Sequence, residues 1–257
     1  MKNFVISLQS ATERREHINN EFGKHNVNFE FFDALTPDTA KDYALSLGLN
    51  LDSISLTPGE LACMMSHVAI WEKAVDNHIP YITIFEDDVY QGEDAEKLLN
   101  STDWIQPDWH IIKIEAFAKK ALLSNKKHPV LSNKRQIRQL MGKNLGAAGY
   151  ILSTKGAKCY FEFLSTSHLQ PIDEIIFDIF ISNNIEPIYQ LTPAICTQEM
   201  MLKERKQSLT FPSSLEKERR QRMKAKKKKG VAKLKRELNR IAFQAKESMF
   251  AKEIYFK

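Results

Sequence analysis

The chain has 257 residues, of which 43% are hydrophobic, and this is enough for one sizeable α/β domain with an appendage. Its formal charge of +5 is uneven, because residues 216–240 hold 13 Lys and Arg against 3 Glu while residues 1–215 have a net charge of −6. No run approaches the roughly 18 apolar residues of a transmembrane helix, and the first residues are too poor in apolar side chains for a signal peptide, so we expect a cytoplasmic protein whose membrane contact is peripheral.

The predicted elements alternate between short apolar runs and segments with helical periodicity. This alternation predicts an α/β fold with a mostly parallel sheet. In chain order they are strand 4–8, helix 12–25 capped by Ser10 or Thr12, strand 29–32, a short helix from Pro37, helix 58–77, strand 81–85, strand 111–114, strand 146–152, helix 153–164, helix 171–182 and strand 185–191.

The strongest helix signal is Thr57-Pro58-Gly59-Glu60, in which Thr57 is the N-cap and Glu60 completes a capping box. The polar, basic stretch 117–143 predicts a long, partly mobile excursion. Beyond about Ser213, helix formers with apolar residues every three or four positions predict a basic amphipathic helix over residues 215–252.

The cysteines, Cys63, Cys159 and Cys196, are odd in number and show no C-x-x-C spacing. This usage favours reduced thiols that act as small core residues over a disulfide framework. A catalytic role for one of them is the less favoured alternative.

Three carboxylates, Glu86, Asp87 and Asp88, directly follow the apolar run 81–85. Like charges placed this close raise one another's pKa, and a bound divalent cation removes that cost. Mg²⁺ and Mn²⁺ prefer carboxylate oxygens, and ligands of open α/β sheets bind beyond the carboxyl ends of strands. The cluster therefore predicts a metal–phosphate site, with a solvated acidic turn as the alternative.

Six residue groups occur in an order that resembles glycosyltransferase family 25, the lipooligosaccharide galactosyltransferases of Gram-negative bacteria. The resemblance covers about residues 1–200 and leaves the basic tail outside. It implies a GT-A-like (Rossmann-like) sheet flanked by helices in residues 1–212, with residues 213–257 as a basic helical extension. The groups are 5–8 with Arg14-Arg15, 29–34, 56–63 with Ser66-His67 and Trp71, 85–88, 149–152 and 171–173.

The resemblance implies an inverting enzyme that moves a sugar, galactose in β-1,4 linkage, from a UDP-sugar to a terminal sugar of lipooligosaccharide or lipopolysaccharide. It also implies Mn²⁺ or Mg²⁺ as cofactor. A UDP-glucose-dependent glucosyltransferase of the same pathway is the first alternative. From other classes, a nucleic-acid-binding protein that uses the basic tail and a UDP-sugar hydrolase or sugar-binding remnant are the rivals, but we expect no nucleic-acid partner because no such binding motif occurs.

The resemblance places the metal on Asp88 and Glu86. An inverting transfer needs a carboxylate base on the acceptor side, and we expect Asp173, or next Glu174, because both lie at a helix N-terminus just after Pro171; charge complementation of that N-terminus is the alternative. Tyr150 would stack on the acceptor sugar, with a place in the core as the alternative. The expected donor-binding residues are Ser7, Leu8, Arg14, Arg15, Asp33, His67, Glu86 and Asp87.

The basic tail is expected to dock on the anionic cytoplasmic leaflet, where a lipid-linked oligosaccharide acceptor would lie. Nucleic-acid binding and a simple solvated helix are the alternatives for this segment.

Overall fold

A computed structural model describes residues 1–52, 54–202 and 250–257. Within these ranges the chain alternates between strands and helices, as predicted. The elements are β1 Lys2–Ser7, α1 Thr12–Lys24, β2 Glu30–Asp33, α2 Pro37–Ser46, α3 Pro58–Asp76, β3 Tyr81–Glu86, β4 Val89–Gln91, α4 Ala95–Leu99, β5 Ile111–Lys113, β6 Lys120–Leu122, β7 His128–Val130, β8 Arg135–Gln139, β9 Gly149–Ser153, α5 Thr154–Thr166, α6 Ile172–Glu174, a π-helical segment Ile175–Ile179, α7 Phe180–Ser182, β10 Ile188–Thr192, β11 Cys196–Gln198, a 3-10 turn Glu199–Met201 and β12 Ala251–Glu253.

Eight of the described strands form the central sheet, in the order β2-β1-β3-β9-β5-β10-β8-β7. Strands β9 and β8 run opposite to the other six, so the sheet is mostly parallel. The carboxyl ends of β1, β2, β3 and β5 consequently meet at one edge. The predicted fold, an α/β sheet flanked by helices, is confirmed.

Both faces of the sheet are buried, and alternate strand residues supply the two hydrophobic cores. Phe4, Ile84 and Leu152 face the core formed with α3 and α5. Val5 and Phe85 face the opposite core, formed with α1 and α4. Because side chains on both faces of the sheet are buried, the strand sequences are continuous apolar runs.

Helix α3 begins with the predicted capping box. The Glu60 N–H donates to Thr57 Oγ1 at 3.1 Å, and the Thr57 N–H donates to Glu60 Oε2 at 3.0 Å. The predicted helix over residues 12–25 is confirmed by α1, but its predicted cap at Ser10 or Thr12 is wrong, because the N-cap is Ala11 and no side chain caps the helix. The Ala11 N–H donates to the Leu8 carbonyl at 3.0 Å, so a hydrogen-bonded backbone turn, and not a side-chain cap, precedes the helix.

The sequence predicts that residues 117–143 leave the fold as a long, partly mobile segment. This prediction is wrong, since the segment contains the strands β6, β7 and β8. The basic residues that suggested solvent exposure are in part buried: Arg135 and Arg138 are 3% and 6% exposed. Arg135 donates to the Pro193 carbonyl at 2.7 Å, and Arg138 donates to the Ser124 carbonyl at 2.8 Å. Because backbone carbonyls accept their hydrogen bonds, these guanidinium groups can be buried. The positive charge of the segment therefore does not indicate that it is exposed.

Most of the predicted tail lies outside the described residues, and with it the domain boundary at 212. At the far end, where the sequence predicted a helix as far as Lys252, Ala251–Glu253 form a strand that pairs antiparallel with β6. Ile254 is buried and Phe256 packs against the core, so these last residues return to the folded body. Among the described helices, none has the length and apolar character needed to cross a bilayer.

Candidate active site

The acidic triplet after β3 divides between two neighbouring groups of side chains. Asp87 accepts hydrogen bonds from Ser7 and Arg14, on the side of β1 and α1. Glu86 and Asp88 lie on the other side, where Gln198 Nε2 is 3.2 Å from Glu86 Oε2 and from both Asp88 carboxylate oxygens. The alternation of side chains at the end of the strand explains this division.

One group, which we call the β1–α1 corner, consists of Ser7, Arg14, Arg15, Asp33 and Asp87. Ser7 and Asp33 are register partners at the carboxyl ends of β1 and β2. Ser7 Oγ donates to Asp87 Oδ2 at 2.7 Å, and Arg14 forms an ion pair with Asp87 Oδ1 at 2.5 Å. The corner is therefore an internally neutralised set of charges beside the N-terminus of α1.

Arg15 holds the outer part of this corner. It pairs with Asp33 and donates to the carbonyl oxygens of Ser7 at 3.0 Å and Leu8 at 3.1 Å, and its guanidinium lies 4.7 Å from the centre of the Phe31 ring. The hydrogen bonds from Arg15 and Gln9 keep the pKa of Asp33 below its usual value. The Leu8 side chain is exposed, so its contribution here is its backbone carbonyl.

The second group, the carboxylate cluster, consists of Glu86, Asp88, Glu115 and Asp173. Burial, reinforced by the charges of Glu115, Asp87 and Asp173, raises the pKa of Glu86 to about 8. Burial and the charge of Glu86 raise the pKa of Asp88 to about 7, against the opposing hydrogen bond from Gln198. The cluster therefore holds more negative charge than its protein partners neutralise.

Glu115 is a member of the cluster that the sequence reading missed. It is fully buried with Lys113, whose Nζ donates to Glu115 Oε2 at 3.0 Å and also to the Gly146 carbonyl. The Ala148 N–H donates to the same carboxylate oxygen at 3.1 Å. Burial raises the pKa of Glu115 and the Lys113 charge opposes this rise. The available signal was its place just beyond a predicted strand, 111–114, at the edge that also carries the acidic triplet.

Gly146 brings the backbone against this cluster. Its φ of +90° favours glycine, and a Cβ there would lie 2.8 Å from both Glu115 carboxylate oxygens. Its N–H points at Asp173 Oδ2 at 3.5 Å, and the other oxygen of Asp173 accepts the Glu174 N–H at 3.0 Å. The predicted base, Asp173, thus sits 9% exposed among the cluster carboxylates, whereas Glu174 is only half-buried.

His67 approaches the cluster from α3. It is fully buried, which lowers its pKa to about 3, so the ring is neutral. Its Nε2 is 3.9 Å from Glu86 Oε1, and its Nδ1 is 2.7 Å from the Tyr150 hydroxyl. The predicted contact between Tyr150 and an acceptor sugar is wrong for this structure, because Tyr150 is fully buried with its hydroxyl held by His67 and Trp71.

The donors of the carboxylate cluster fit a hard divalent cation such as Mn²⁺ or Mg²⁺. Glu86 and Asp88 present carboxylate oxygens on the same side of the triplet, and their pKa values are raised by burial and then by neighbouring carboxylates, a cost that a bound cation would offset. The Gln198 amide nitrogen is a weak partner for three carboxylate oxygens at once. Gln198 was not found from the sequence; it reaches Asp88 because β11 pairs with β4, with Gln198 opposite Val89.

Comparison with known proteins gives one consistent result. A family model described as "Glycosyltransferase family 25 (LPS biosynthesis protein)" matches residues 1–176. A putative glycosyltransferase of Haemophilus influenzae is 37% identical over 99% of this chain and 88% of its own length. The lipooligosaccharide biosynthesis protein lic2B of Haemophilus influenzae is 39% identical over 88% and 86%, respectively. The lacto-N-neotetraose biosynthesis glycosyltransferase LgtE of Neisseria gonorrhoeae is 36% identical over 97% and 93%.

Proposed function

The chain belongs to glycosyltransferase family 25, as its sequence motifs predicted, and from this premise we propose that it transfers galactose from UDP-galactose to a terminal sugar of lipooligosaccharide. We further propose that the transfer inverts the anomeric centre and forms a β-1,4 linkage. The observation that carries the proposal is the pairing of Glu86 and Asp88 at the carboxyl end of β3, beside the arginines of the β1–α1 corner. The names of the relatives support lipooligosaccharide as the acceptor.

A Mn²⁺ or Mg²⁺ ion held by Asp88 and Glu86 would supply Lewis-acid stabilisation of the departing diphosphate. The chain's own contribution here is to hold the two carboxylates together. Gln198 restrains both through its amide group, and the Glu199 N–H donates to the Asp88 carbonyl at 3.2 Å. These contacts fix the carboxylates before a ligand binds, which reduces the ordering cost of binding.

The β1–α1 corner is the proposed nucleotide site. Arg14 and Arg15 lie in the first turn of α1, where guanidinium groups and the helix dipole both attract phosphate. Phe31 and the carbonyls of Ser7 and Leu8 orient Arg15. Asp33 is exposed at the end of β2, where its carboxylate can accept hydrogen bonds from ribose or uracil hydroxyl and N–H groups.

The proton of the acceptor hydroxyl must leave as the new glycosidic bond forms and the bond from the sugar to UDP breaks. We assign this proton to Asp173, with Glu174 as the alternative base. Asp173 is held in place by the Glu174 N–H, and its charge acts on Glu86, Glu115 and His67. Its carboxylate therefore lies close to the proposed metal ligands.

The test measures UDP release from UDP-galactose with Mn²⁺, with and without an acceptor that ends in glucose or N-acetylglucosamine. We expect acceptor-dependent release, and product linkage and anomeric configuration are read by NMR. Parallel reactions with UDP-glucose test the glucosyltransferase alternative. Absence of acceptor-dependent release with every UDP-sugar would refute the transferase proposal, whereas equal release with and without acceptor would indicate a hydrolase.

We also propose a peripheral position on the cytoplasmic face of the membrane, because residues 216–240 carry 13 Lys and Arg against 3 Glu. Binding to vesicles that contain anionic lipid should weaken as salt is raised, and neutral vesicles should bind less. Equal partition into both kinds of vesicle would contradict electrostatic docking. Tighter binding to a nucleic-acid duplex than to anionic vesicles would favour the rival reading of this segment.

A further inference from the structure

We propose that Cys63, His67 and Glu86 form a second cation position, selective for a thiophilic divalent ion such as Zn²⁺. It lies beside the hard-cation position of Glu86 and Asp88 and shares Glu86 with it. One ligand atom from each of Cys63, His67 and Glu86 lies within 4.8 Å of the other two. The ligand set is thiolate, imidazole and carboxylate, the set that zinc accepts and that Mg²⁺ and Mn²⁺ do not favour.

The local structure brings these three residues together for identifiable reasons. Cys63 and His67 are four residues apart on α3, so their side chains lie on the same face of the helix, one turn apart. The capping box at Thr57 fixes the start of this helix. Glu86 comes from the end of β3, which pairs with β1 through Ile6. Rigid elements therefore supply all three ligands.

The imidazole of His67 is the strongest sign of a ligand position. Its ring is fully buried, yet Nε2 has no hydrogen-bond partner among the described residues and faces Glu86 Oε1 at 3.9 Å. A buried polar atom without a partner is costly, and a metal ion would satisfy it.

The other ring nitrogen already has the partner that a metal-bound histidine requires. Nδ1 is 2.7 Å from the Tyr150 hydroxyl oxygen, which also accepts the indole N–H of Trp71 at 3.0 Å. A phenol oxygen has two lone pairs and can accept from both rings; in the tautomer that carries its proton on Nδ1, the Nε2 lone pair is free for a cation. Such a second contact orients the ring and is typical of histidine ligands.

The distances require only a small contraction. Zinc bonds of about 2.0–2.3 Å in tetrahedral geometry put ligand atoms roughly 3.5 Å apart. The separation of His67 Nε2 and Glu86 Oε1, 3.9 Å, is already close to this, and Cys63 is half-buried. Burial, and then the charges of Glu86, Asp173, Glu60 and Asp88, raise the pKa of the Cys63 thiol, and the same negative potential attracts a cation to the group.

The two positions cannot hold two ions independently, because both use Glu86. A thiophilic ion bound by Cys63 and His67 would withdraw Glu86 from Asp88. If the proposed function is correct, Zn²⁺ therefore inhibits transfer in competition with Mn²⁺. This consequence rests on the proposed function, whereas binding of the ion does not, so the decisive experiment measures binding.

The experiment titrates the metal-free, full-length protein with Co²⁺, a zinc surrogate, and records the near-ultraviolet thiolate-to-cobalt charge-transfer band. We expect the band in the wild type and in Cys159→Ser, a matched control at the other half-buried cysteine. Cys63→Ser should lose the band and bind Zn²⁺ at least tenfold more weakly in competition with a chromophoric chelator. Absence of the band in the wild type, or its persistence in Cys63→Ser, would overturn the proposal.

A second measurement needs no substitution and so does not depend on how Cys63→Ser folds. Alkylation of the wild-type protein by iodoacetamide is followed peptide by peptide, with and without Zn²⁺. Zinc should slow alkylation of Cys63 and leave that of Cys159 unchanged. Equal rates at Cys63 with and without zinc would contradict the site even if transferase activity is present.

Discussion

The β1–α1 corner and the carboxylate cluster lie on the two sides of one acidic triplet, yet their charges are arranged in opposite ways. In the corner, Asp87 and Asp33 each meet an arginine, and Asp87 also meets Ser7. In the cluster, Glu86 and Asp88 receive the amide of Gln198 and lie among other carboxylates, with the neutral His67 ring 3.9 Å from Glu86. One side is neutralised by arginine side chains, whereas Glu86 and Asp88 have no cationic side chain in contact among the described residues and hold protons more tightly than free carboxylates do.

This difference separates two kinds of binding site. A neutralised corner is stable without ligand and offers arginine donors to an incoming phosphate, which shares them with Asp87 and Asp33. A negative cluster is unfavourable without ligand, and a cation improves it. Substitutions and titrations on either side of the triplet test this difference.

The largest effect is expected for Asp88→Asn. It removes a carboxylate from the proposed metal site with little change of shape, and metal-dependent turnover should fall by about a hundredfold or more, because Lewis-acid stabilisation is worth several kcal/mol and each 1.4 kcal/mol or so is tenfold. Melting temperature should stay equal or rise, since repulsion is relieved. Asp103→Asn, at an exposed loop position, is the control. Undiminished kcat/KM in Asp88→Asn would remove Asp88 from the site.

The second effect is a link between pH, metal and stability. Glu86 and Asp88 have raised pKa values of about 8 and about 7 in the folded protein, so they bind protons more tightly there than in the unfolded chain. Their stabilising contribution is present at acid pH and is lost as pH rises toward 8. His67, with its lowered pKa, acts in the opposite direction below its ordinary value of 6.5, so the window from 6.5 to 8 isolates the carboxylates.

The metal-free protein should therefore lose unfolding free energy between pH 6.5 and 8, as measured by urea denaturation. Mn²⁺ at a hundred times its Kd should restore about 2.7 kcal/mol at pH 8, and the same concentration should restore less at pH 6.5 because protons compete. Glu86→Gln should flatten the pH dependence. Equal stabilisation by Mn²⁺ at both pH values would contradict a negative cluster.

The third effect concerns the neutralised side. Asp87→Asn leaves the buried Ser7 hydroxyl and the Arg14 guanidinium without their charged acceptor. We expect a loss of about 1–3 kcal/mol in unfolding free energy, the usual cost of breaking a buried polar pair. The matched comparison is Asp88→Asn, one residue away, which should show no such loss. Equal destabilisation by the two substitutions would remove the contrast between the corner and the cluster.

The smallest effect on stability is expected for Asp33→Asn. Its pair with Arg15 is exposed, and exposed pairs contribute little. Melting temperature should not change, while KM for the UDP-sugar should rise because the carboxylate that accepts from ribose or uracil is lost. Glu30→Gln, on the same strand, is the control. An unchanged KM in Asp33→Asn would place the nucleotide elsewhere.

Much of the fold could be predicted because local rules and tertiary packing agree. The capping box at Thr57, the run before Glu86 and the start of helix α5 each appear at the predicted place. The stretch 117–143 could not be predicted, since Arg135 and Arg138 are buried against backbone carbonyls that only the tertiary fold supplies.

The candidate site residues could be located from the sequence where they directly follow a strand. They could not be located where their position depends on which strands pair. Glu86, Asp88 and Asp33 were found by their position after apolar runs, and Glu115 follows the same rule although it was missed. Gln198 gave no signal, because its place beside Asp88 results from the pairing of β11 with β4. Tyr150 was misread because an aromatic residue beside a glycine in a motif has the same sequence pattern whether it faces ligand or core.

The last described strand has a consequence for how the molecule would sit on a surface. On one side of residues 203–249 the described chain ends at Leu202, just after the Glu199 N–H donates to the Asp88 carbonyl, and on the other side Ala251–Glu253 pair with β6. The lysine-rich stretch between them is thus joined to the body at two points rather than one. If a bilayer bound this stretch, the folded body could rotate only about the line that joins those two points. Asp88, which lies beside one of these points, would then keep a constant height above the lipid headgroups.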